Sequence, residues 1–289
     1  MKWCIVGFNI PKMRYEILSQ WMREQGLENT VDFIEVSPSE FTEKLIEIKK
    51  EYDQIRIESP YRNEVFLETK KNEAEMQMLR AADTFFKDGR GEWWLRSALH
   101  CGMNNILNSL DQNLSLEGSA LVVGAGGGAR AAIASLVKAG YQNFNITNAF
   151  DDQATELINE LKKIYFGIEF RFVSQSQLVL LPGTNSVFVN TTPFSGNNEI
   201  LDELHYFNFL SQKGLVWELT LEPIDTPLVK EAMEIGARIF RGYEFVIETE
   251  KHWLRWVAPS KEFSWDELRK VLLEKLKKEK VDSESRTKV

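Results

Sequence analysis

Apolar positions in this chain follow two periods, and the switches between them mark its strands and helices. Trp3–Phe8 is an unbroken apolar run of the length that fills a buried strand. From Met13 to Gln25 the apolar residues then recur every three or four positions, as on one face of a helix. Val31–Val36 reads as a second strand. Ser37, Ser39 and Glu40 mark a helix start ahead of Phe41–Tyr52, and Gln54–Ile57 is a third strand. This alternation predicts a mostly parallel sheet with helices on both faces. Asp83–Lys87 and Glu92–Leu95, turned by Asp88–Gly89–Arg90–Gly91, read as a strand pair that closes the first region.

A second region begins after about His100, with a helix through Met103–Leu110. Ser119–Val123 is small and β-branched. A glycine loop, an alanine-rich helix over Arg130–Ala139, Gly140 as its stop and a strand over Asn143–Asn148 follow. Together they make a βαβ unit of roughly thirty residues. Further strands fit Glu169–Val173, Ser186–Asn190, Leu215–Leu219 and Arg238–Phe240, with helices at Asp152–Tyr165 and Pro227–Ile235. Amphipathic helices are expected at Tyr243–Val257 and Ser264–Lys280, and the polar tail 281–289 is expected to be disordered.

The loop Gly124–Ala125–Gly126–Gly127–Gly128–Ala129 lies between a strand and a helix, which is the setting for holding a pyrophosphate. Backbone amides and the positive end of the helix dipole contact the phosphates there. Gly124 suits the tight turn, Gly126 the close approach and Ala129 the helix–sheet contact. Residues at the end of the next strand choose the cofactor. The sequence there, Asn148–Ala149–Phe150–Asp151–Asp152, has no cation for a 2′-phosphate, which favours NAD over NADP. Asp151 and Asp152 also suit the N-terminus of the following helix whatever binds there.

Composition narrows the function classes. The chain has 289 residues, 43% hydrophobic and 27% charged, as in a globular protein with ample core material. Its net charge of −8 argues against nucleic acid as a partner. No apolar run is long enough to span a membrane. Cys4 and Cys101 form no C-x-x-C and have no histidine cluster nearby, so neither a zinc site nor a disulfide is expected. A reducing cytoplasm is the location this implies.

The order of motifs resembles the shikimate and quinate dehydrogenase family. Val122–Val123–Gly124–Ala125–Gly126–Gly127–Gly128–Ala129–Arg130–Ala131 is similar to its nucleotide loop. Asn190–Thr191–Thr192–Pro193 is similar to the N-[AT]-T-P segment that the family places near the nicotinamide. Val216–Trp217–Glu218–Leu219, Pro223 and Thr226–Pro227–Leu228 resemble its D-x-x-Y-x-P and T-P-L stretch. Gly242–Tyr243–Glu244–Phe245 and Trp253–Leu254–Arg255–Trp256 resemble its closing helix. The resemblance implies an α/β fold of two domains. Residues 1–100 with 242–280 would form a mostly parallel substrate domain, and 101–241 a Rossmann-type domain for NAD or NADP. Asn148 falls in the family's N-R-T cofactor motif, with Ala149 in place of the arginine.

The substrate side departs from the pattern. The S-x-S loop is reduced to Asn9–Ile10–Pro11–Lys12. The N-x-T-x-P-H-K segment aligns with Arg56–Ile57–Glu58–Ser59–Pro60–Tyr61–Arg62, which puts Arg62 where the family has its catalytic lysine. Asp83 stands for an asparagine, Leu99 for the catalytic aspartate, Leu221 for a tyrosine and Thr249 for a glutamine. A lysine can trade a proton with the alcohol, whereas a guanidinium stays charged. General acid–base help is worth about 10²–10⁴-fold, so shikimate itself is expected to be a poor substrate.

The resemblance places Arg62 and Asp83 side by side. They are expected either to pair as a bidentate salt bridge filling the old site, or to leave Arg62 to bind the carboxylate of another small ligand. Glu58, Tyr61 and His100 are further acid–base candidates, and Trp93–Trp94 either lines a pocket or packs in the core. Two functions follow: an NAD(P)-dependent oxidoreductase with an altered substrate site, or a catalytically inactive member that binds nucleotide or ligand. The chain is expected to be a monomer or homodimer.

Overall fold

The computed structural model of the chain describes residues 1–68, 72–110, 117–193, 204 and 208–286. The chain divides into two units, Met1–Gly102 with Ile247–Lys275, and Met103–Val246 with Leu276–Val289.

The first unit is built on β1 (Lys2–Gly7), β2 (Thr30–Glu35), β3 (Gln54–Ile57), β4 (Thr84–Lys87) and β5 (Trp93–Arg96), in the order β2-β1-β3-β4-β5. β1 runs parallel to β2 and β3, and the last two strands turn back antiparallel. The apolar run at the start of the chain explains why β1 is central, because Trp3 to Val6 are wholly buried. Helices Lys12–Glu24 and Phe41–Glu51 make the crossovers that parallel strands require. In the β4–β5 hairpin Asp88 accepts from the amides of Arg90 and Glu92, and Gly91 takes positive φ. The Trp93–Trp94 pair belongs to this hairpin. Trp93 meets Phe85 edge-on and Trp94 donates its indole N–H to Asp88, which is packing rather than a pocket lining.

The second unit holds six parallel strands: β6 (Ser119–Val123), β7 (Asn143–Thr147), β8 (Glu169–Phe172), β9 (Asn185–Asn190), β10 (Leu210–Glu218) and β11 (Arg238–Phe240). Their order is β11-β10-β9-β6-β7-β8. The chain runs outward from β6 through β8, then starts again at β9 on the other side of β6. That reversal is a topological switch point, where open α/β sheets hold ligands at the carboxyl ends of their strands. Leu121, Val123, Phe188 and Val216 fill the core beside it.

Among the described residues, several elements differ from expectation. The helix placed at Met103 begins at Ala98, because a side chain distant in sequence caps it. A helix over Ala74–Leu79, absent from the periodicity, ends where Arg80 adopts a left-handed conformation. The last helix runs Trp265–Arg286, beyond Lys280, through a sequence with no Gly or Pro to stop it. Residues 287–289 of the expected disordered tail lie outside the described residues. No described helix is long and apolar enough to cross a membrane.

Gly102 permits a close approach within the first unit. A Cβ there would lie 2.8 Å from the Thr249 amide nitrogen and 3.0 Å from the Glu248 carbonyl carbon, both backbone atoms that cannot swing aside. Gly102→Ala is therefore expected to destabilise the protein by roughly 1–3 kcal/mol through overpacking, read as a lower midpoint in urea denaturation. An unchanged midpoint would show that the two helices are free to separate.

Candidate functional site

In the second unit the loop after β6 is shaped by its glycines. Gly124 has φ near 115°, and a side chain there would strike the Thr191 hydroxyl. Its amide donates to Thr147 at 2.9 Å, which ties the ends of β6 and β7 together. Among the described residues nothing lies within 4 Å of where a Cβ on Gly126 would sit, which leaves the backbone open to a close-approaching group. Helix Gly127–Lys138 starts inside the loop, earlier than the expected Arg130, so Gly127 and Gly128 belong to its first turn. Ala125 leads into that turn and Ala129 is fully buried. A left-handed glycine, an open glycine and a helix N-terminus together make a cradle that fits a pyrophosphate.

The segment Asn190–Pro193 is positioned by a carboxylate. The Asn190 amide donates to both Glu218 oxygens at 2.9 and 3.1 Å, and its oxygen accepts from the amide and hydroxyl of Thr192. Glu218 also accepts from the Thr220 amide and the Thr226 hydroxyl. Burial pushes the Glu218 carboxyl above its ordinary pKa, and these donors only partly offset that. The Thr191 hydroxyl bonds the Val123 carbonyl at 2.8 Å, so the loops after β6 and β9 are laced together. Pro193 is exposed at the end of the segment. At the end of β7, Asn148 donates to the Phe150 carbonyl and to Gln153, each at 3.1 Å.

In the first unit Arg62 and Asp83 do not pair. Their backbones are close, since Ala82 donates to the Arg62 carbonyl and Ile57 to that of Asp83, each at 2.8 Å. Their side chains part. Arg62 binds Glu58 at 2.5 Å and donates its Nε to the Ile57 carbonyl. Asp83 is buried and turned to the start of helix Ala98–Asn108, where it accepts from the amides of Ala98 and Leu99 at 2.8 and 2.7 Å and from the Thr84 hydroxyl. A helix start offers amide donors that need an acceptor, and they win this carboxylate.

Arg62 is the outer end of a buried chain of alternating charge. Glu58 accepts from Arg62 and from the Tyr15 hydroxyl, and its other neighbour is Arg14 at 3.6 Å. Arg14 binds Glu250 at 2.6 Å, and Arg56 reaches the second oxygen of Glu250 at 2.6 Å. Burial alone would raise the Glu58 and Glu250 carboxyls. The guanidiniums of Arg62 and Arg14 for the first, and of Arg56 and Arg14 for the second, hold both below the ordinary range.

The other acid–base candidates are also engaged. Tyr61 is buried, stacks on Phe41 and donates to the Val36 carbonyl. His100 meets Glu75 at 3.0 Å. Among the described residues no group of three His, Cys, Asp or Glu could hold a metal.

No family model matches the chain. In sequence it is 23% identical over 245 residues to the NADP-dependent shikimate dehydrogenase of Rhizobium meliloti, covering 82% of each chain. It is 25% identical over 260 residues to that of Thermotoga maritima, covering 88% of this chain and 93% of the relative. In structure it matches quinate dehydrogenase from Corynebacterium glutamicum in complex with NAD. That match has a TM-score of 0.77 at 18% identity, over 95% of this chain and 99% of that one. It also matches the Thermus thermophilus shikimate dehydrogenase in complex with NADP(H) and shikimate, with a TM-score of 0.73 at 16% identity over 95% and 99%. The chain is thus similar in sequence and in fold to the shikimate and quinate dehydrogenases.

Sequence reasoning did not single out Arg14, Glu250 or Glu218 as site residues. Arg56 and Glu218 carried a usable signal, a charge set in a strand whose other residues read as core, since such a charge needs a buried partner. Nothing local marked Arg14 or Glu250, which lie 236 positions apart.

Losing the Glu250 charge leaves Arg14 and Arg56 short of a partner, so Glu250→Gln is expected to cost roughly 3–5 kcal/mol at neutral pH. The folded pKa of Glu250 lies below its ordinary value of 4.5. Its stabilisation is therefore complete above that value and is lost as pH falls through the depressed one. Urea denaturation of wild type and variant should give stabilities that converge below about pH 4.5. A gap that is unchanged in acid would place the effect outside the ion chain.

Proposed function

We propose that the chain is an NAD(P)-dependent oxidoreductase acting on a CH–OH group of a small ligand, with a substrate side rebuilt so that shikimate is a poor substrate. The carrying observation is the contrast between its two units. The open, left-handed glycine loop and the Glu218–Asn190–Thr192 network suit a dinucleotide, while Arg62, aligned with the family's lysine, is committed to Glu58. The nucleotide, when bound, supplies the hydride donor or acceptor. What this chain's residues must add is removal of the alcohol proton. Arg62 keeps its charge at ordinary pH, Leu99 has no carboxylate, and Asp83 is occupied by backbone amides.

The named relatives support NAD or NADP as the class of cofactor. NAD is the preferred form in our reading, because Ala149 offers no cation and Asp151 and Asp152 would repel a 2′-phosphate. A second reading, a non-catalytic nucleotide- or ligand-binding protein, is favoured by the ion chain Arg62–Glu58–Arg14–Glu250–Arg56, in which each charge lies beside an opposite one without a ligand.

Calorimetric titration should show NAD binding several-fold more tightly than NADP; tighter NADP would overturn that preference, and binding of neither would overturn the oxidoreductase reading. A screen of hydroxy acids and polyols for reduced-cofactor absorbance then separates the two readings. Turnover of another ligand supports the enzyme, and NAD binding without any turnover supports the second reading. Shikimate turnover is expected about 10²–10⁴-fold below that of a family enzyme bearing both lysine and aspartate. Turnover at the full family rate would show that Arg62 and Leu99 do not limit the chemistry.

A further inference from the structure

We infer that Phe150 is the platform on which the adenine ring of the bound dinucleotide stacks. The inference rests on the nucleotide-binding reading above and adds the residue that grips the base. Val123 pairs with Thr147, and the Gly124 amide bonds the Thr147 carbonyl, so the loops after β6 and β7 leave the sheet side by side. In a βαβ nucleotide fold the pyrophosphate lies on the first of these loops, and the adenosine ribose reaches the end of the second strand. Phe150 stands three residues past the end of that strand.

Phe150 differs from the buried aromatics of the neighbouring strands. Phe144 and Phe170, on β7 and β8, are buried and stacked on each other, whereas Phe150 is 62% exposed. Its backbone is held on both sides. The Asn148 side chain bonds its carbonyl, and helix Asp151–Ile164 begins directly after it from an extended conformation. A large ring kept in water by a fixed backbone, at the strand end where the adenosine arrives, offers a π-face of the kind that adenine stacks on. The same turn has no cation to compete for the base, because its neighbours are Ala149 and Asp151.

The test compares wild type with Phe150→Trp, Phe150→Leu and Phe150→Ala, titrating NAD and ADP-ribose and recording thermal midpoints. Because the ring is exposed, all four proteins should melt alike. Stacking on an aromatic is worth enough that the alanine variant should bind both probes about tenfold more weakly. Tryptophan should match phenylalanine. Leucine, apolar but without a π-face, should fall near alanine. Alanine binding as tightly as wild type, or leucine as tightly as phenylalanine, overturns the platform while leaving the nucleotide site standing. Wild type binding neither probe overturns the nucleotide reading and this one with it.

Discussion

Glu250 is wholly buried, and a carboxylate taken out of water must be repaid by close opposite charge. Arg14 and Arg56 supply it, one to each oxygen, and that demand organises the first unit. Arg56 comes from β3, Arg14 from helix Lys12–Glu24 and Glu250 from helix Gly242–Val257, so one carboxylate joins three elements. Aromatic faces line the same place. The Arg56 guanidinium lies 5.0 Å from the Trp253 ring and Trp253 packs on Trp3 at 4.7 Å, so the charges sit against the core. Glu58 extends the alternation outward to Arg62, whose side chain is 20% exposed. Three guanidiniums face two carboxylates along this line, and the two buried carboxylates depend on them to stay ionised.

The second unit solves a different problem with different means. Holding a pyrophosphate needs backbone amides and room, and both come from conformation. Gly124 turns the chain where no side chain fits, and Gly126 leaves the approach clear. The side chains that matter, Asn190 and Glu218, act by fixing backbone. Such a site is legible in a sequence because glycines in order between a strand and a helix specify it nearly by themselves. The ion chain of the first unit is built by side-chain pairing, which has no comparable local signature.

That difference explains what the sequence revealed and what it did not. Strand and helix positions came out within a few residues, since a buried run such as Trp3–Val6 or an alternating face such as Met13–Met22 is a local fact. The start of helix Ala98–Asn108 did not, because its cap is Asp83, fifteen residues upstream of Ala98. The same omission produced the mistaken Arg62–Asp83 pair. Family resemblance put the two positions together, which the backbone bonds bear out, but it could not say that two amides would outbid a guanidinium for the carboxylate. Arg56 was readable as a charge in need of a partner. Which partner depended on a helix nearly two hundred residues away.

The ion chain also constrains any chemistry at this place. A general acid or base works best when its pKa lies near the working pH. Here burial and neighbouring guanidiniums together leave the carboxyls of Glu58 and Glu250 lowered. Burial pushes the Tyr15 phenol up, and the partner carboxylates hold Arg14 and Arg56 charged against their own burial. Glu58 and Glu250 are thus moved down and Tyr15, Arg14 and Arg56 up, all away from neutrality. Groups shifted in this way suit charge balance better than proton transfer at neutral pH.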